Sequence, residues 1–339
     1  MKKSNRKIVL IGDPGSSFVK DDLKLIDANF RLIPLNPVGF GKKIFFSIVY
    51  IFKSIWMVFH ADVLISWFAD YYSVVPCLVA KILRKPFITI AGGFDVIYAP
   101  EYKYGAWINW HRKLAVKLTF YWSYKIWCVS KFTQAQLTAR IPGIKSEVQY
   151  LGIDTSEWIP DQTVEKKKQV LTVALTPNMV TYSRKGVDRW LKVARQNQHY
   201  EFIWIGINVD LIPSAASLPP NVRMLQFMPQ SELIGFYKTS GFFLQPSRME
   251  TFGKALLEAM VYGCFPIVSE ETSLPEIAGP FGIVIAPEHW DSVNLVSIEA
   301  GISYQRNELT TYALNAFPSV DRENRLVPIL NSISYKNPG

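Results

Sequence analysis

Short apolar segments rich in β-branched and aromatic residues alternate with segments of helical periodicity along most of this 339-residue chain. This alternation predicts parallel β-sheets whose strands are joined by crossover helices. It is interrupted at residues 151–169, LGIDTSEWIPDQTVEKKKQ, where turn residues, a proline and a run of charges replace it. The sequence therefore predicts an α/β protein with two doubly wound halves in tandem and a linker in that interval.

The pattern assigns a position to each strand and helix. In the first half the predicted strands are Ile8–Ile11, Phe30–Pro34, Val63–Ser66, Phe87–Ile90, Lys125–Val129 and Val148–Tyr150. The predicted helices there are Lys42–Phe59, Tyr72–Leu83, Trp107–Trp122 and, after an N-cap at Ser130, Phe132–Arg140. In the second half the predicted strands are Val170–Ala174, Glu201–Ile205, Val222–Leu225, Gly241–Leu244 and Pro266–Val268. The predicted helices are Val187–Asn197, Ser231–Thr239 and Lys254–Tyr262. We assign residues 1–155 to one domain and 156–315 to the other, and expect residues 316–339 to pack back on the first.

The charge is distributed unevenly between the halves. Residues 1–160 contain 21 Lys+Arg and 11 Asp+Glu, a net charge of +10, whereas the remainder has a net charge of −1. A basic half suggests an anionic partner, such as nucleic acid, a phosphorylated substrate or acidic lipid. No nucleic-acid recognition motif accompanies the charge, so we expect no nucleic acid partner. The three cysteines are far apart in apolar settings, which predicts buried thiols rather than a metal site.

The most apolar stretch is Ile44–Ala69. It is interrupted by Lys53, His60 and Asp62, so no uncharged run reaches the ~18–20 residues that a membrane-spanning helix needs. Lysines flank or interrupt its aromatic residues at Lys42, Lys43 and Lys53, as on a helix that lies at a bilayer surface. His111–Trp127 is a second such patch. A buried helix followed by a strand is the other interpretation, and the sequence does not decide between them. Because the start lacks the pattern of a signal peptide, we expect a cytoplasmic protein, peripheral on the inner face of the membrane.

Ligands of doubly wound sheets bind at the carboxyl ends of the strands, so two sheets predict a site in a central cleft that both face. The loop Ile11–Ser17 follows the first strand, and its glycines allow close approach of the backbone to an anion at the next helix start. Gly15 and Ser16 are therefore candidate residues for binding an anionic ligand, with an ordinary tight turn as the alternative. The loop does not match G-x-G-x-x-G and lacks the corresponding acid, which excludes a dehydrogenase of that type.

Two adjacent cations, Arg184 and Lys185, precede Gly186 and a predicted helix. Such a pair can neutralise a diphosphate as it leaves. The alternative is a solvated helix start, but the helix dipole disfavours cations at that end. The sequence therefore favours a functional role for this pair.

Two carboxylates, Glu250 and Glu258, lie eight residues apart in PSRMETFGKALLEAMVYGCFPIVS, residues 246–269. Thr251–Lys254 would open a helix whose N–H groups can bind phosphate oxygens. Glu258 is surrounded by apolar residues, and a buried carboxylate needs hydrogen-bond donors. The adjacent hydroxyls of a ribose would supply them. The alternative is an exposed pair with Lys254, four residues earlier, which would contribute little stability.

The segment ETFGKALLEAMVYGCFPIV resembles the E-x7-E motif of the group 1 (family 4) retaining glycosyltransferases. Other segments resemble that family in the same order: WCVSKFTQAQL, YLGIDTSEWIP, SRKGVDRWLKVA and NVRMLQFMPQSELIGFYKTSGFFLQPSRMETFG. The resemblance is dense over Lys125–Ser269 and thin over the first 120 residues. It implies the GT-B fold, in which two Rossmann-like, doubly wound parallel-sheet domains face a central cleft.

The resemblance also implies roles for particular residues. The C-terminal domain would hold a nucleotide diphosphate sugar and the N-terminal domain a glycan or lipid-linked acceptor. Lys185 would contact the diphosphate, Glu250 the transferred sugar, Glu258 the ribose, and Phe227 and Met228 the base. Backbone amides of Phe252, Gly253 and Lys254 would surround the phosphates. No metal and no cofactor are implied, and the expected function is retaining hexosyl transfer in cell-surface polysaccharide or lipopolysaccharide biosynthesis.

Two departures from the family pattern affect the catalytic assignment. Where the family has Gly-Arg, this chain has ALTPN, Ala174–Asn178, so we expect Arg184 to substitute. Where the family often has a histidine, the loop ITIAGGFDVIYAPEYKYG has none, so Gly93 and Asp95 become candidates for sugar contact. A nucleotide-sugar epimerase of the same fold and a non-catalytic partner subunit stay open as alternatives.

Overall fold

The structure is a computed structural model that describes residues 3–41, 44–154, 158–161, 163–211, 218–303 and 305–333. It contains two compact units, one formed by Met1–Leu151 with Val320–Gly339 and the other by Gly152–Ser319. The sequence placed the division after residue 155, which lies outside the described residues, and the return to the first domain at about residue 316.

The first unit is built around a parallel sheet. In chain order it contains β1 (Lys7–Ile11), α1 (Ser17–Asn29), β2 (Arg31–Leu35), α2 (Ile44–His60), β3 (Val63–Trp67), α3 (Tyr71–Ile82), β4 (Phe87–Ala91), α4 (Trp110–Trp122), β5 (Lys125–Cys128), α5 (Lys131–Arg140) and β6 (Glu147–Val148). The described strands pair in the order β2-β1-β3-β4-β5-β6, and each neighbouring pair is parallel. β3 and β4 are buried along their whole length, as expected for parallel strands covered on both faces.

The second unit repeats this plan. It contains β7 (Lys167–Thr176), α6 (Met179–Lys185), α7 (Val187–Gln196), β8 (Glu201–Ile207), β9 (Val222–Leu225), α8 (Gln230–Thr239), β10 (Ser240–Gln245), α9 (Lys254–Val261), β11 (Phe265–Ser269), α10 (Leu274–Ala278), β12 (Ile283–Ile285), α11 (Leu295–Gly301) and α12 (Arg306–Ala316). Its described strands pair in parallel in the order β12-β11-β10-β7-β8-β9. Trp190 on α7 packs edge-on against Phe202 and Trp204 of β8, which fixes that helix on the sheet.

The last helix, α13 (Ser319–Ser332), lies mostly in the first unit. Its Arg322 pairs with both carboxylate oxygens of Asp22 on α1, at 2.7 and 2.8 Å. Trp67 of β3 donates to the same carboxylate at 2.9 Å. The side chains of Arg322 and Asp22 are 5% and 3% exposed. A buried charge pair with satisfied donors therefore joins α13 to the first sheet and to α1.

Most elements were predictable. Each predicted strand and helix corresponds to an observed one, with small shifts at the ends, and Ser130 caps α5 by accepting from the Thr133 N–H at 3.0 Å. A helix was expected after the loop Ile11–Ser17, without bounds, and α1 lies there. The sequence missed the short strand β12 and the helices α6, α10, α11, α12 and α13. The most consequential omission is α6, because it carries two of the candidate site residues.

Candidate functional site

The carboxyl ends of β7 and β10 define the candidate site. The strand order reverses between them, since β8 and β9 lie on one side of β7 while β10, β11 and β12 lie on the other. In open α/β sheets, ligands bind at such a reversal. The chain after β7 leads into α6, and the chain after β10 runs through residues 246–253 into α9. The predicted cations and both predicted glutamates lie on these two paths.

Glu250 lies at the centre of the site and accepts several hydrogen bonds. Lys185 Nζ donates to its Oε2 at 2.6 Å, and Gln245 Nε2 donates to the same oxygen at 3.0 Å. The Thr251 backbone N–H donates to Oε1 at 3.2 Å. The side chains of Lys185 and Glu250 are only 14% and 16% exposed, so water screens the pair weakly. The structure thus joins two residues that the sequence assigned separately to the diphosphate and the sugar.

The electrostatic surroundings keep Glu250 ionised. Burial alone would raise its pKa, because burial removes water from a charged group. The charge and hydrogen bond of Lys185, together with the charge of Arg184, act in the opposite direction and prevail. The pKa of Glu250 is therefore below the ordinary value of 4.5, and the side chain is a carboxylate at neutral pH.

The unpredicted helix α6 brings both cations to the site. Asn178 caps its start, because its Oδ1 accepts from the Thr181 N–H at 2.9 Å, and Gly186 ends it with a φ of 73°. Arg184 and Lys185 therefore lie in the last turn of α6, where the helix dipole favours positive charge. This corrects the expectation from the sequence, which considered only the helix that follows Gly186.

The junction of α6 and α7 is fixed against the chain after β10. A Cβ on Gly186 would lie 2.1 Å from the Pro246 carbonyl oxygen, so only glycine permits this approach. Arg248 binds both carboxylate oxygens of Asp188 on α7, at 2.7 and 2.6 Å. Its backbone N–H donates to the Arg184 carbonyl at 2.8 Å. Sequence reasoning missed Arg248 and Asp188, which are 60 residues apart.

The helix α9 begins at Lys254, four residues after Glu250. Gly253, with a φ of 92°, immediately precedes the helix, and Lys254 is its first residue. The Phe252 side chain is 3% exposed, and its ring packs edge-on against Phe317 at 5.9 Å. The predicted contribution of Phe252 is therefore limited to its backbone. The first N–H groups of a helix, together with its dipole, form an anion-binding end.

Glu258 is half-buried in α9 and accepts a hydrogen bond from the Tyr237 hydroxyl at 3.1 Å. Tyr237 is fully buried and stacks on Tyr262, with ring centroids 6.1 Å apart. Burial, together with the charge of Glu258, raises the pKa of Tyr237 well above its ordinary value, so the hydroxyl stays protonated and donates. The sequence predicted that this acid needs donors, and the fold itself supplies one of them. A carboxylate has about four acceptor positions, of which this bond uses one.

The predicted base-binding residues follow β9, which lies two strands away from β7. At the usual strand spacing this is a distance of about 10 Å. Phe227 is 75% exposed, and Met228 is half-buried. An exposed aromatic ring at the carboxyl edge of a sheet can stack on a planar ligand ring. Their contact with a base stays a prediction.

In the first unit, Gly15 and Ser16 form the turn between β1 and α1. The Asp13 side chain accepts from the Gly15 N–H at 2.8 Å, and the Asp13 backbone carbonyl accepts from the Ser16 N–H at 3.1 Å. This is the tight turn that the sequence left open as the alternative. It also follows the strand at which the order of the first sheet reverses, since β2 and β3 flank β1. Donor contact by these two residues stays a prediction.

Gly93 and Asp95 follow β4, and the geometry gives Asp95 a structural role. Its carboxylate accepts from the N–H groups of Gly93 and Ala69, each at 3.0 Å, and its side chain is fully buried. Trp107 Nε1 donates to its carbonyl at 2.8 Å. Burial raises the pKa of Asp95 to about 7 despite these bonds. The carboxylate joins the loops after β3 and β4 and faces the interior, which corrects the expectation that it faces a sugar.

Cys77, Cys128 and Cys264 are buried free thiols, as predicted. Within the described ranges, no three or more His, Cys, Asp or Glu side chains are grouped to hold a metal ion. Independence from metal stays a prediction. No helix in the described part of the chain has both the length and the apolar character required to cross a bilayer.

Comparison with known proteins identifies the part of the chain that contains this site. Residues 157–300 match the family described as glycosyl transferases group 1. This segment belongs to the group 1 glycosyltransferase family. It includes α6, β10 and α9, and therefore Lys185, Glu250 and Glu258. The family match thus covers the charged candidate residues at the carboxyl ends of β7 and β10.

Individual relatives are similar to different extents. O-antigen chain mannosyltransferase B of Escherichia coli is 37% identical over 73 residues, which are 22% of this chain and 19% of that protein. Anabaena HepE, solved with UDP and glucose, has a TM-score of 0.74 at 13% identity and covers 97% of this chain and 100% of its own. Sucrose-phosphate synthase of Thermosynechococcus elongatus has a TM-score of 0.76 at 14% identity, covering 96% and 98%. The two structural likenesses show the GT-B fold.

Proposed function

We propose that this protein is a retaining glycosyltransferase that moves a hexose-type sugar from a nucleotide diphosphate sugar to a glycan or lipid-linked acceptor. The observation that carries the proposal is the weakly screened Lys185–Glu250 pair at the strand-order reversal, beside the start of α9. It lies inside the segment that belongs to the group 1 glycosyltransferase family. A site built from cations and helix N–H groups suits a diphosphate leaving group.

Lys185 and Arg184 would stabilise the negative charge that develops on the departing diphosphate. The bond between the anomeric carbon and the phosphate oxygen breaks, and its electron pair leaves with the diphosphate. The acceptor hydroxyl oxygen bonds to the anomeric carbon on the same face, and its proton passes to the leaving phosphate oxygen. Glu250, which holds Lys185 at 2.6 Å, positions this cation before the donor binds and meets the transferred sugar. Most of the catalysis is then electrostatic and needs no metal.

The rest of the donor would extend along the carboxyl edge of the sheet. Backbone amides at Phe252, Gly253 and Lys254 would surround the phosphates, since they lie at the start of α9. Glu258, oriented by Tyr237, would accept hydrogen bonds from the ribose hydroxyls. Phe227 and Met228 would contact the base.

The acceptor and the pathway are further parts of the proposal. The local identity to O-antigen chain mannosyltransferase B supports cell-surface polysaccharide or lipopolysaccharide biosynthesis. A cytoplasmic location at the inner face of the membrane is consistent with the net charge of +10 in residues 1–160. A lipid-linked acceptor would be presented at that surface.

A thermal-shift screen of nucleotide diphosphates and their sugars tests donor binding, because a ligand of the folded state raises the melting temperature. We expect one nucleotide to raise it clearly, and an absence of any shift at millimolar concentration would contradict the proposal. Product analysis with the donor so identified then tests the reaction. A transferase leaves the sugar stereochemistry unchanged without an acceptor, whereas conversion of the donor sugar alone would identify an epimerase.

A further inference from the structure

The helix α2 is apolar around most of its circumference, but only one of its sides is packed. Tyr50, Met57 and Val58 pack into the core of the first unit. The opposite side exposes large side chains: Phe45 by 71%, Phe52 by 70%, Trp56 by 59% and Phe59 by 57%. A surface helix normally presents polar residues on the side that faces away from the core. The outer face of α2, defined by Phe45, Ile48, Phe52, Trp56 and Phe59, is therefore a surface that requires a partner.

The outer face of α2 is continuous. Its residues are separated by three or four positions, so they lie above one another along one side of the helix. The helix has 17 residues and is therefore about 25 Å long. The packed residues occupy the opposite side, which means that α2 can lie along a surface while it stays attached to its own unit.

A second helix of the same unit presents a similar stripe. On α4, Trp110 is 76% exposed, Leu114 50% and Tyr121 61%, at spacings of four and seven residues. The helix α3 packs against both α2 and α4, and its Ile82 is 68% exposed. Side chains from all three helices meet in one core cluster. The exposed apolar groups therefore belong to neighbouring helices on one face of the sheet.

The charges on these helices have a single sign. α2, α3 and α4 contain no Asp or Glu. The chain has no acidic residue between Asp27 and Asp62, or between Glu101 and Glu147. Basic residues on or beside the helices are Lys53, Lys81, Arg84, Lys113 and Lys117. Arg112 of α4 is paired instead with Asp70 at the start of α3, at 2.6 Å. Two copies of this chain meeting at these faces would oppose like charges, whereas an anionic surface would be attracted.

Lys85 shows why α2 holds its position. Its Nζ donates to the carbonyl oxygens of Val58, Phe59 and Ala61, at 2.8, 2.6 and 2.8 Å. These bonds satisfy carbonyl groups at the end of α2 and place a positive charge where the helix dipole favours it. The exposed stripe is therefore carried by a helix with a fixed end.

We propose that the outer faces of α2 and α4 dock the first unit on an anionic bilayer surface, with α2 lying in the plane of the interface. Aromatic and aliphatic side chains would enter the boundary between headgroups and acyl chains, and the lysines would face the lipid phosphates. Lys42 and Lys43, which the sequence singled out, lie outside the described residues. The inference rests on the membrane location in the proposed function and names the surface that would make the contact. It does not depend on sugar transfer.

Cosedimentation of the full chain with vesicles tests the inference. One set contains phosphatidylglycerol and phosphatidylcholine, and the other contains phosphatidylcholine alone. We expect binding to the anionic vesicles at low salt, weakened by added salt. Trp56→Asp and Phe52→Asp should each lower the partition coefficient about tenfold or more. Each variant places a charge where an apolar side chain would enter the bilayer. Val320→Asp, at a 50% exposed position of α13, is the matched control and should bind as the unmodified protein does.

Circular dichroism and the melting temperature establish that each variant is folded. The melting shift produced by the nucleotide should be the same in all of them, which separates loss of docking from loss of the donor site. The inference is overturned if anionic vesicles are not bound at low salt, or if both variants bind as well as the control. It is also overturned if sedimentation velocity reveals a dimer that Trp56→Asp dissociates, since a second copy would then occupy the face.

Discussion

Two buried carboxylates, one in each unit, follow parallel strands and differ in how their charge is compensated. Glu250 in the second unit is bound by the Lys185 ammonium and an amide side chain, and its pKa is lowered. Asp95 in the first unit accepts from two backbone N–H groups, and its pKa is raised to about 7. With backbone N–H donors alone, the fully buried Asp95 has a pKa near 7. With a cation beside it, Glu250 stays ionised at neutral pH. The Glu250 arrangement suits a site that binds charge, and the Asp95 arrangement suits a joint between loops.

A third buried acid gives the largest expected effect. Asp22 is paired with Arg322, so Arg322→Met would leave a carboxylate buried without its cation. Removing one partner of a buried pair costs about 3–5 kcal/mol. We expect the free energy of unfolding, measured in urea, to fall by that amount. The double variant Asp22→Asn with Arg322→Met should recover part of the loss, and equal stability of the single variant and the unmodified protein would show that the pair is not a determinant of stability.

Lys185→Ala removes the cation from the Glu250 site. Turnover should fall by about 10²–10³, the usual effect of deleting one group that stabilises charge in the transition state. The measurement is the steady-state rate with the donor found by thermal shift. Lys192→Ala, on the surface of α7 in a pair with Asp291 at 3.1 Å, is the control and should keep its rate. Unchanged turnover in Lys185→Ala would remove this residue from the mechanism.

The pH dependence of stability should distinguish the two carboxylates. Because the folded pKa of Asp95 is about 7 and its ordinary value is 3.8, the folded state binds more protons between these limits. Its contribution to stability is therefore present at low pH and is lost as pH rises towards 7. The lowered pKa of Glu250 acts oppositely, and its contribution is lost as pH falls below 4.5.

The variant Asp95→Asn isolates the contribution of Asp95 to the pH dependence of stability. Between pH 5 and pH 8 the unmodified protein should lose about 3 kcal/mol more stability than Asp95→Asn, because only the unmodified protein releases this proton when it unfolds. Urea unfolding at the two pH values measures the difference. The variant itself should be less stable at pH 5, since an amide side chain satisfies one of the two N–H groups. Parallel pH dependence of the two proteins would contradict the raised pKa.

Glu258→Gln should give the smallest effect, because this acid has a neutral donor in Tyr237. Loss of charged hydrogen bonds to the ribose should weaken nucleotide binding by about 1–2 kcal/mol, which calorimetry can resolve. Tyr237→Phe keeps the stack on Tyr262 and removes only the hydroxyl, so its effect should be smaller. Equal affinity of Glu258→Gln and the unmodified protein would exclude ribose contact.

The sequence predicted both sheets because buried parallel strands leave strong apolar runs, as in VLISW and FITIA. It predicted Glu258 as a site residue because an acid in an apolar helix is unusual, and Glu250 because it precedes that helix and matches the first glutamate of the family motif. It missed α6, since Asn178–Lys185 has no apolar periodicity and is held by its cap and by Gly186. The Arg248–Asp188 pair joins residues that only tertiary structure brings together. Likewise, no local pattern distinguishes the exposed side of α2 from a buried one.

The return of α13 to the first unit has a consequence for biosynthesis. Asp22 and Arg322 are 300 residues apart. At about 5–20 residues per second, a ribosome needs roughly 15–60 s to make that interval. During this time the nascent N-terminal unit contains an acid whose cation has not yet been translated, although the whole second unit can fold. The part of the protein that is made first is thus the part that is completed last.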